Sequence, residues 1–171
     1  MDIHGLNETA PWEWPEEAGE IIENVLKDKN AADGDRILAA ELAGDELAMN
    51  DDMAELLLSL IGDEKENESV RCNAAISLGP ALEYGYIMEF DDPEDIVLSE
   101  KTFHNVENKL ETFFNDAGIS ETVRRHVLEA AVRSPKEWQE EKLKEAYASS
   151  DNYWKLTAVF GMGHIPGFEK E

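Results

Sequence analysis

The chain has 171 residues, of which 42% are hydrophobic, and this apolar content is typical of a folded protein. Its 15 Lys and Arg residues against 39 Asp and Glu residues give a formal net charge of −24 at pH 7. Such a charge repels phosphate backbones and anionic lipid headgroups, so the composition argues against nucleic acid or a membrane surface as a partner.

The chain also lacks sequence features of secreted and membrane-spanning proteins. Cys72 is the only cysteine, which excludes an intramolecular disulfide and a cysteine-pair zinc site. Residues 1–9 lack the basic and apolar regions of a signal peptide, and no apolar run reaches the roughly 20 residues that span a membrane. We therefore expect a cytoplasmic protein.

The first predicted helix pair occupies residues 15–45, after an N-terminal segment, residues 1–14, that is predicted to be irregular. Pro15 suits the first turn of the first helix. Its apolar residues lie at the three- and four-residue spacings of a helix with one buried face: Ile21, Ile22, Val25 and Leu26. The second helix begins around Arg36, with small residues following the arginine, and Gly44 is a helix stop or a close-packing position.

The second predicted pair occupies residues 51–84. Asp51 or Asp52 can cap its first helix, whose buried face is made of apolar side chains: Met53, Leu56, Leu57, Leu60 and Ile61. Its second helix repeats the small-residue pattern from Arg71 to Gly79, and Asn67 can cap it. Residues 84–98 follow as an insertion, aromatic at first and then acidic.

The third and fourth pairs are predicted at residues 99–133 and 134–165. Their first helices begin near Ser99 and at Ser134-Pro135, and their second helices are capped by Ser120 and Asp151. The apolar residues of the first helices again follow helical spacing: Phe103, Val106, Leu110, Phe113 and Phe114, then Trp138, Leu143, Ala146 and Tyr147. The four pairs make one domain of the all-α class.

A nine-residue phrase recurs in the four second helices, each time opening on a cation: Arg36, Arg71, Arg124 and Lys155. Self-similarity at this period indicates a repeat architecture. In the second unit, Val70-Arg71-Cys72-Asn73-Ala74-Ala75 resembles the second helix of a HEAT repeat, and is similar to the short form found also in phycobilisome lyases. Unit three departs from the pattern at Val127-Leu128, and the first and last units lack the Val before the cation.

The resemblance to HEAT repeats implies an α-α superhelix, a right-handed solenoid of about four helix pairs whose second helices line the concave side. Polar residues on those helices are then the candidate partner-binding residues: Arg71, Asn73, Arg124, Arg125 and Lys155. Three aromatic residues of the insertion could close over the same groove: Tyr84, Tyr86 and Phe90. The recurring cations have two interpretations: pairing with a neighbouring carboxylate or helix-end carbonyl, or a row that binds an anionic ligand.

No set of residues with catalytic or metal-binding spacing is present. The acids from Glu89 to Asp95 lack the spacing and central Gly of a calcium loop, and the four histidines are not at metal-ligand spacings. We expect Cys72, on a repeated helix, to be an inert buried thiol. The sequence therefore predicts no cofactor, no metal and no enzymatic activity. It favours a scaffold for a protein or peptide, which the acidic surface suits to a cationic partner. The alternative is a lyase-type enzyme or a carrier of a chromophore or small ligand.

Overall fold

The computed structural model describes residues 1–90 and 97–168. Within these ranges all regular elements are helical and no strand occurs, so the prediction of an all-α fold is confirmed. A short 3-10 helix spans Pro11–Glu13. The α-helices in chain order are α1 (Ile3–Glu8), α2 (Ala18–Lys27), α3 (Asp33–Leu42), α4 (Asp51–Gly62), α5 (Glu68–Ser77), α6 (Gly79–Met88), α7 (Glu100–Asn115), α8 (Glu121–Ala131), α9 (Glu137–Ala148) and α10 (Asn152–Met162).

The helices pack as two rows. Helices α3, α5, α8 and α10, which we call the second-helix row, contact one another in that order. On one side of it, α2 contacts α4 and α4 contacts α7, while Phe114 of α7 packs on Trp138 of α9 with ring centroids 5.3 Å apart. Each second helix also packs on the helix that precedes it in its predicted pair. The core therefore lies between the rows.

Small residues let α3 and α5 approach closely. Ala39, Ala40 and Ala75 are fully buried, and a Cβ added at Gly44 would lie only 3.0 Å from Ser77 Cα. The Ser77 hydroxyl donates to the Ala40 carbonyl at 2.6 Å, which satisfies a buried polar group across the contact. The close-packing interpretation of Gly44 agrees with this geometry.

The predicted caps of the second helices are present. Asn67 accepts a hydrogen bond from the Ser69 amide, Ser120 from Val123, and Asp151 from Tyr153. Ser99 caps α7 in the same way. The predicted cap of α4 is wrong: Asn50, not Asp51 or Asp52, accepts from the Met53 amide at 2.9 Å.

Other predicted boundaries need correction. Helix α2 begins at Ala18, three residues beyond Pro15, and α9 begins at Glu137 instead of Ser134-Pro135. Residues 1–14 are not irregular, because α1 packs on α3 and buries Ile3 and Leu6 in the core. The Trp14 indole N–H donates to the carbonyl oxygen of Leu6, at 2.9 Å, which ties the 3-10 helix to α1.

The insertion predicted at residues 84–98 is partly helical, since residues 84–88 belong to α6. Gly79 begins this helix instead of ending α5, and α6 packs on α5, α7 and α8. A Cβ at Gly79 would lie 2.7 Å from Arg133 Cδ, so the absence of a side chain permits this contact. Residues 91–96 of the insertion lie outside the described residues. No described helix combines the length and the apolar character needed to cross a membrane.

Candidate functional site

The recurring cations occupy one structural position. Arg36, Arg71, Arg124 and Lys155 are each the fourth residue of a helix in the second-helix row. The fourth residue of a helix lies one turn from its start. The surroundings of the four cations can therefore be compared with one another.

Arg36 is buried, and both terminal nitrogens of its guanidinium donate hydrogen bonds to neighbouring residues. Its Nη1 and Nη2 donate to the two carboxylate oxygens of Glu66, and Nη2 also donates to the carbonyl oxygen of Leu26, at 2.8 Å. Burial alone would raise the pKa of Glu66, but hydrogen bonds from Arg36, from the Asn67 amide and from Lys29 lower this pKa to about 2. Glu66 is thus ionised and pairs with Arg36 inside the protein.

Arg71 is also buried, with 6% of the residue exposed, and its Nε donates to the Ile61 carbonyl at 2.9 Å. Leu26 and Ile61 are both the next-to-last residues of their helices, so Arg36 and Arg71 satisfy equivalent helix ends. The expectation that Arg71 is a surface residue is therefore corrected: its guanidinium holds two helices of one pair together. For these two positions the structure favours the first interpretation of the cations.

Arg124 differs from the other two arginines. Its Nε is buried without a hydrogen-bond partner among the described residues, and its nearest ion-pair contact is Glu121, with Nη2 and Oε1 4.0 Å apart. Arg36 Nε and Arg71 Nη2 also lack partners, but those guanidiniums form other strong hydrogen bonds. Arg124 is therefore the least satisfied of the three.

A cleft of about 330 Å³ opens beside Arg124, between the ends of α7 and α9 and the starts of α8 and α10. One quarter of the Arg124 side chain is exposed. Cationic, acidic and aromatic side chains line the cleft: Phe114, Asn115, Glu121, Arg124, Lys142, Glu145, Ala146, Ser149 and Trp154. The volume is within the range of small-ligand pockets.

A second repeated contact is also missing at this cleft. The cap of α5, Asn67, donates to Asp33, the first residue of α3, at 3.0 Å, and the cap of α8, Ser120, donates to Glu68, the first residue of α5, at 2.6 Å. The equivalent pair between α10 and α8 is Asp151 and Glu121. Asp151 has neither the amide of Asn67 nor the hydroxyl of Ser120, and no hydrogen bond joins it to Glu121 among the described residues.

The remaining predicted site residues do not converge on one place. Arg125 contacts Glu129 and Thr157 and lies over the Tyr153 ring, 5.3 Å from its centroid. Lys155 is exposed and has no ion pair with a described residue. The amide of Asn73 donates to the Ile37 carbonyl at 3.3 Å.

The three aromatic candidates are also separated. Tyr84 is half-buried and lines a small cavity with Gly44 and Met49. Phe90 packs edge-to-face on Phe103 at 5.1 Å, so it belongs to the edge of the core. Tyr86 is exposed on α6. Of the three, only Tyr86 is free to contact a partner in the way the sequence predicted.

Apart from Tyr86, sequence reasoning missed the exposed apolar side chains of α6 and α10, two helices that Arg133 connects. Arg133, just after α8, donates to Glu83 of α6 at 2.6 Å and lies over the Phe160 ring of α10. Exposed apolar side chains extend from this bridge along both helices, and we call them the α6–α10 surface: Tyr86, Ile87, Leu156, Val159 and Phe160. The signal was present in the sequence, because α10 alone among the described α-helices contains no acidic residue.

The described residues offer no catalytic centre around Cys72. Burial, more than any neighbouring charge, raises the pKa of the Cys72 thiol to about 11, so it is protonated and weakly nucleophilic near neutral pH. No group of three or more His, Cys, Asp or Glu side chains that could hold a metal ion occurs within residues 1–90 and 97–168. Most of the predicted acidic cluster, from Asp91 to Asp95, lies outside those ranges.

No family model, curated protein or solved structure matches the chain.

Proposed function

We propose that this chain is a non-catalytic binding module of four HEAT-like helix pairs that holds a protein or peptide segment on the α6–α10 surface. The exposure of apolar side chains along α10 carries this proposal: Leu156 is 65% exposed and Val159 58%. Contiguous apolar surface is uncommon on a monomer and is typical of interaction sites. No other described element covers these side chains.

The charge around this surface suggests the chemistry of the partner. The chain has a net charge of −24, yet α10 has Lys155 as its only charged residue. A partner segment with apolar side chains on one face would bury them on α10. Lys or Arg residues at its flanks would then lie near carboxylates of other helices. Long-range attraction of this kind accelerates association and depends on salt.

The HEAT-like part of the proposal is supported by the repeated environment of the second helices. The cation is the fourth residue in all four, and Arg36 and Arg71 reach equivalent helix ends. Stacked helix pairs commonly present an extended binding surface. A role as a scaffold or adaptor in the cytoplasm agrees with this architecture.

Selection from a displayed library of random peptides tests the proposal. Peptides enriched on the wild-type chain should combine apolar residues with Lys or Arg, and should bind the Leu156→Ser/Val159→Ser variant at least about tenfold more weakly, since each buried apolar side chain contributes about 1.5–3 kcal/mol. Leu47→Ser is the matched control, because Leu47 is 57% exposed in the loop after α3. Equal binding by wild type and both variants, or no enrichment, would contradict the proposal.

The same peptides allow a test of the electrostatic contribution. Their association rate with the wild-type chain should fall steeply between low and physiological salt, while the dissociation rate changes less. A salt-independent association rate would show that the acidic surface has no part in recognition. Duplex DNA should not be retained in a gel shift at physiological salt, because the chain repels phosphate.

A further inference from the structure

We infer that the cleft at Arg124 binds the carboxylate of a ligand whose remaining part is apolar. This inference does not depend on the proposed function, because none of the residues that line the cleft belongs to the α6–α10 surface. It begins from the three arginines at one structural position, of which two donate hydrogen bonds to neighbouring helices, whereas the third has only a 4.0 Å ion-pair contact with Glu121 of its own helix.

The chain itself contains the interaction that the third position lacks. At Arg36, the carboxylate of Glu66 accepts hydrogen bonds from both terminal nitrogens of the guanidinium. A planar guanidinium and a carboxylate fit each other in this two-point arrangement. At Arg124, no residue supplies such a carboxylate, and a cleft occupies the space beside the guanidinium. A ligand carboxylate would take the place that Glu66 takes in the first unit.

Arg124 keeps donors that a ligand can reach, because a quarter of its side chain is exposed and the residue lines the cleft, although its Nε is enclosed. The Arg124 Nε has lost its hydration and has gained no acceptor among the described residues. Lys142 is a second cation on the cleft, and its pairing with Glu145, 2.9 Å away, is an exposed contact that contributes little. Both cations can therefore turn toward an incoming anion.

The other walls of the cleft suit an apolar group. Phe114 is buried and Trp154 half-buried, and their rings meet edge-to-face with centroids 6.3 Å apart. Ala146 adds a small apolar side chain to the same lining. An aromatic or branched aliphatic group joined to the carboxylate by a short chain would contact these side chains while the carboxylate reaches Arg124.

The acidic residues of the cleft favour a single negative charge on the ligand. Glu121 and Glu145 stand beside Arg124 and Lys142, so the lining has no net charge, and the chain as a whole is strongly negative. A phosphate dianion would be repelled more than a carboxylate monoanion. Two sources share the favoured chemistry: a free organic acid and the C-terminus of a peptide that ends in an apolar residue.

Isothermal titration calorimetry at 150 mM salt, with two matched pairs of probes, tests the inference. The pairs are 4-phenylbutyrate with its neutral amide, and the pentapeptide Ala-Ala-Ala-Ala-Phe with a free or an amidated C-terminus. Each acid is expected to bind at least tenfold more tightly than its amide, since loss of a hydrogen bond to a charged group reduces affinity about 10- to 100-fold. If the peptide with a free C-terminus binds more tightly than 4-phenylbutyrate, the ligand is a peptide C-terminus. If 4-phenylbutyrate binds more tightly, the ligand is a small organic acid.

Two variants locate the interaction. Arg124→Gln should reduce the affinity for the acids about 10- to 100-fold, whereas Lys155→Gln, which removes one positive charge from the same position of the next helix, should change it less than twofold. In wild-type protein, nuclear magnetic resonance signals of the Trp154 indole should shift on addition of the acid. Failure of either acid to bind, equal binding of acids and amides, or full affinity of Arg124→Gln would overturn the inference. The comparison of acid with amide needs no variant, so it stands even if Arg124→Gln does not fold.

Discussion

Replacement of Glu66 by Gln is expected to destabilise the folded chain by about 3 kcal/mol at pH 7. Hydrogen bonds lower the pKa of Glu66 from 4.5 to about 2, despite its burial, and a shift of this size corresponds to about 3 kcal/mol. The side chain is 2% exposed, so solvent screens little of this interaction. Removal of one partner from a buried ion pair costs a similar amount, about 3–5 kcal/mol, because the other charge is left unpaired.

The effect has a defined dependence on pH. Since the folded-state pKa of Glu66 is lower than its unfolded value, its contribution is complete above about pH 4.5 and is lost as the pH falls toward 2. The difference in unfolding free energy between wild type and Glu66→Gln should therefore be constant from pH 8 to pH 5 and should shrink below that range. At pH 7 the melting temperature should fall by about 6–12 °C, given the length of the chain.

Urea titrations followed by circular dichroism at 222 nm, repeated across this pH range, measure the effect. Glu64→Gln is the control, because it removes the same charge from an exposed position nearby and separates loss of the buried pair from relief of net repulsion. If Glu66→Gln unfolds within about 0.5 kcal/mol of wild type at pH 7, as a surface substitution would, the assignment of Glu66 as a buried structural carboxylate is refuted.

Three further predictions concern packing and the buried polar groups. Gly44→Ala should destabilise the fold by about 1–3 kcal/mol, because the new Cβ meets Ser77 Cα at 3.0 Å. Gly34→Ala should stabilise it by about 0.4–1 kcal/mol, because a Cβ at Gly34 has nothing within 4 Å. Thermal denaturation measures the stability of both variants. Arg71→Met should cost about 1.5–3 kcal/mol and leave peptide binding unchanged, and weaker binding at an unaltered melting temperature would instead make Arg71 a contact residue. Cys72, whose pKa is raised to about 11 by burial, should react with a thiol reagent at pH 8 far more slowly in the folded chain than in urea, and equal rates would contradict its burial.

Much of the helical structure could be predicted because its determinants are local. The caps Asn67, Ser120 and Asp151 each act on an amide two or three residues away, and the apolar spacing of the first helices defines one buried face. The recurrence of a cation at one position of the repeat could also be predicted from the sequence. In the structure this cation is the fourth residue of each helix in the second-helix row.

What sequence reasoning missed depends on contacts between distant segments. Gly79 was predicted to be a helix stop or a close-packing position; it begins α6 and packs against Arg133, while Gly85 of the same helix packs against Phe103. Helix α1 has only six residues and depends on α3 for its burial. Nothing in the sequence separated Glu66 from the other 38 acids, because its partner Arg36 lies 30 positions earlier.

The same distance along the chain decides when each arginine finds its partner. The helix-end carbonyls that accept from Arg36 and Arg71 belong to Leu26 and Ile61, which are synthesised before the arginines. Glu66, in contrast, is synthesised 30 residues after Arg36. At synthesis rates of about 5–20 residues per second, about 2–6 s pass between the synthesis of Arg36 and that of its ion-pair partner Glu66. The first helix pair therefore gains this ion pair only once residue 66 has been made, so the two pairs share one stabilising contact that neither can form alone.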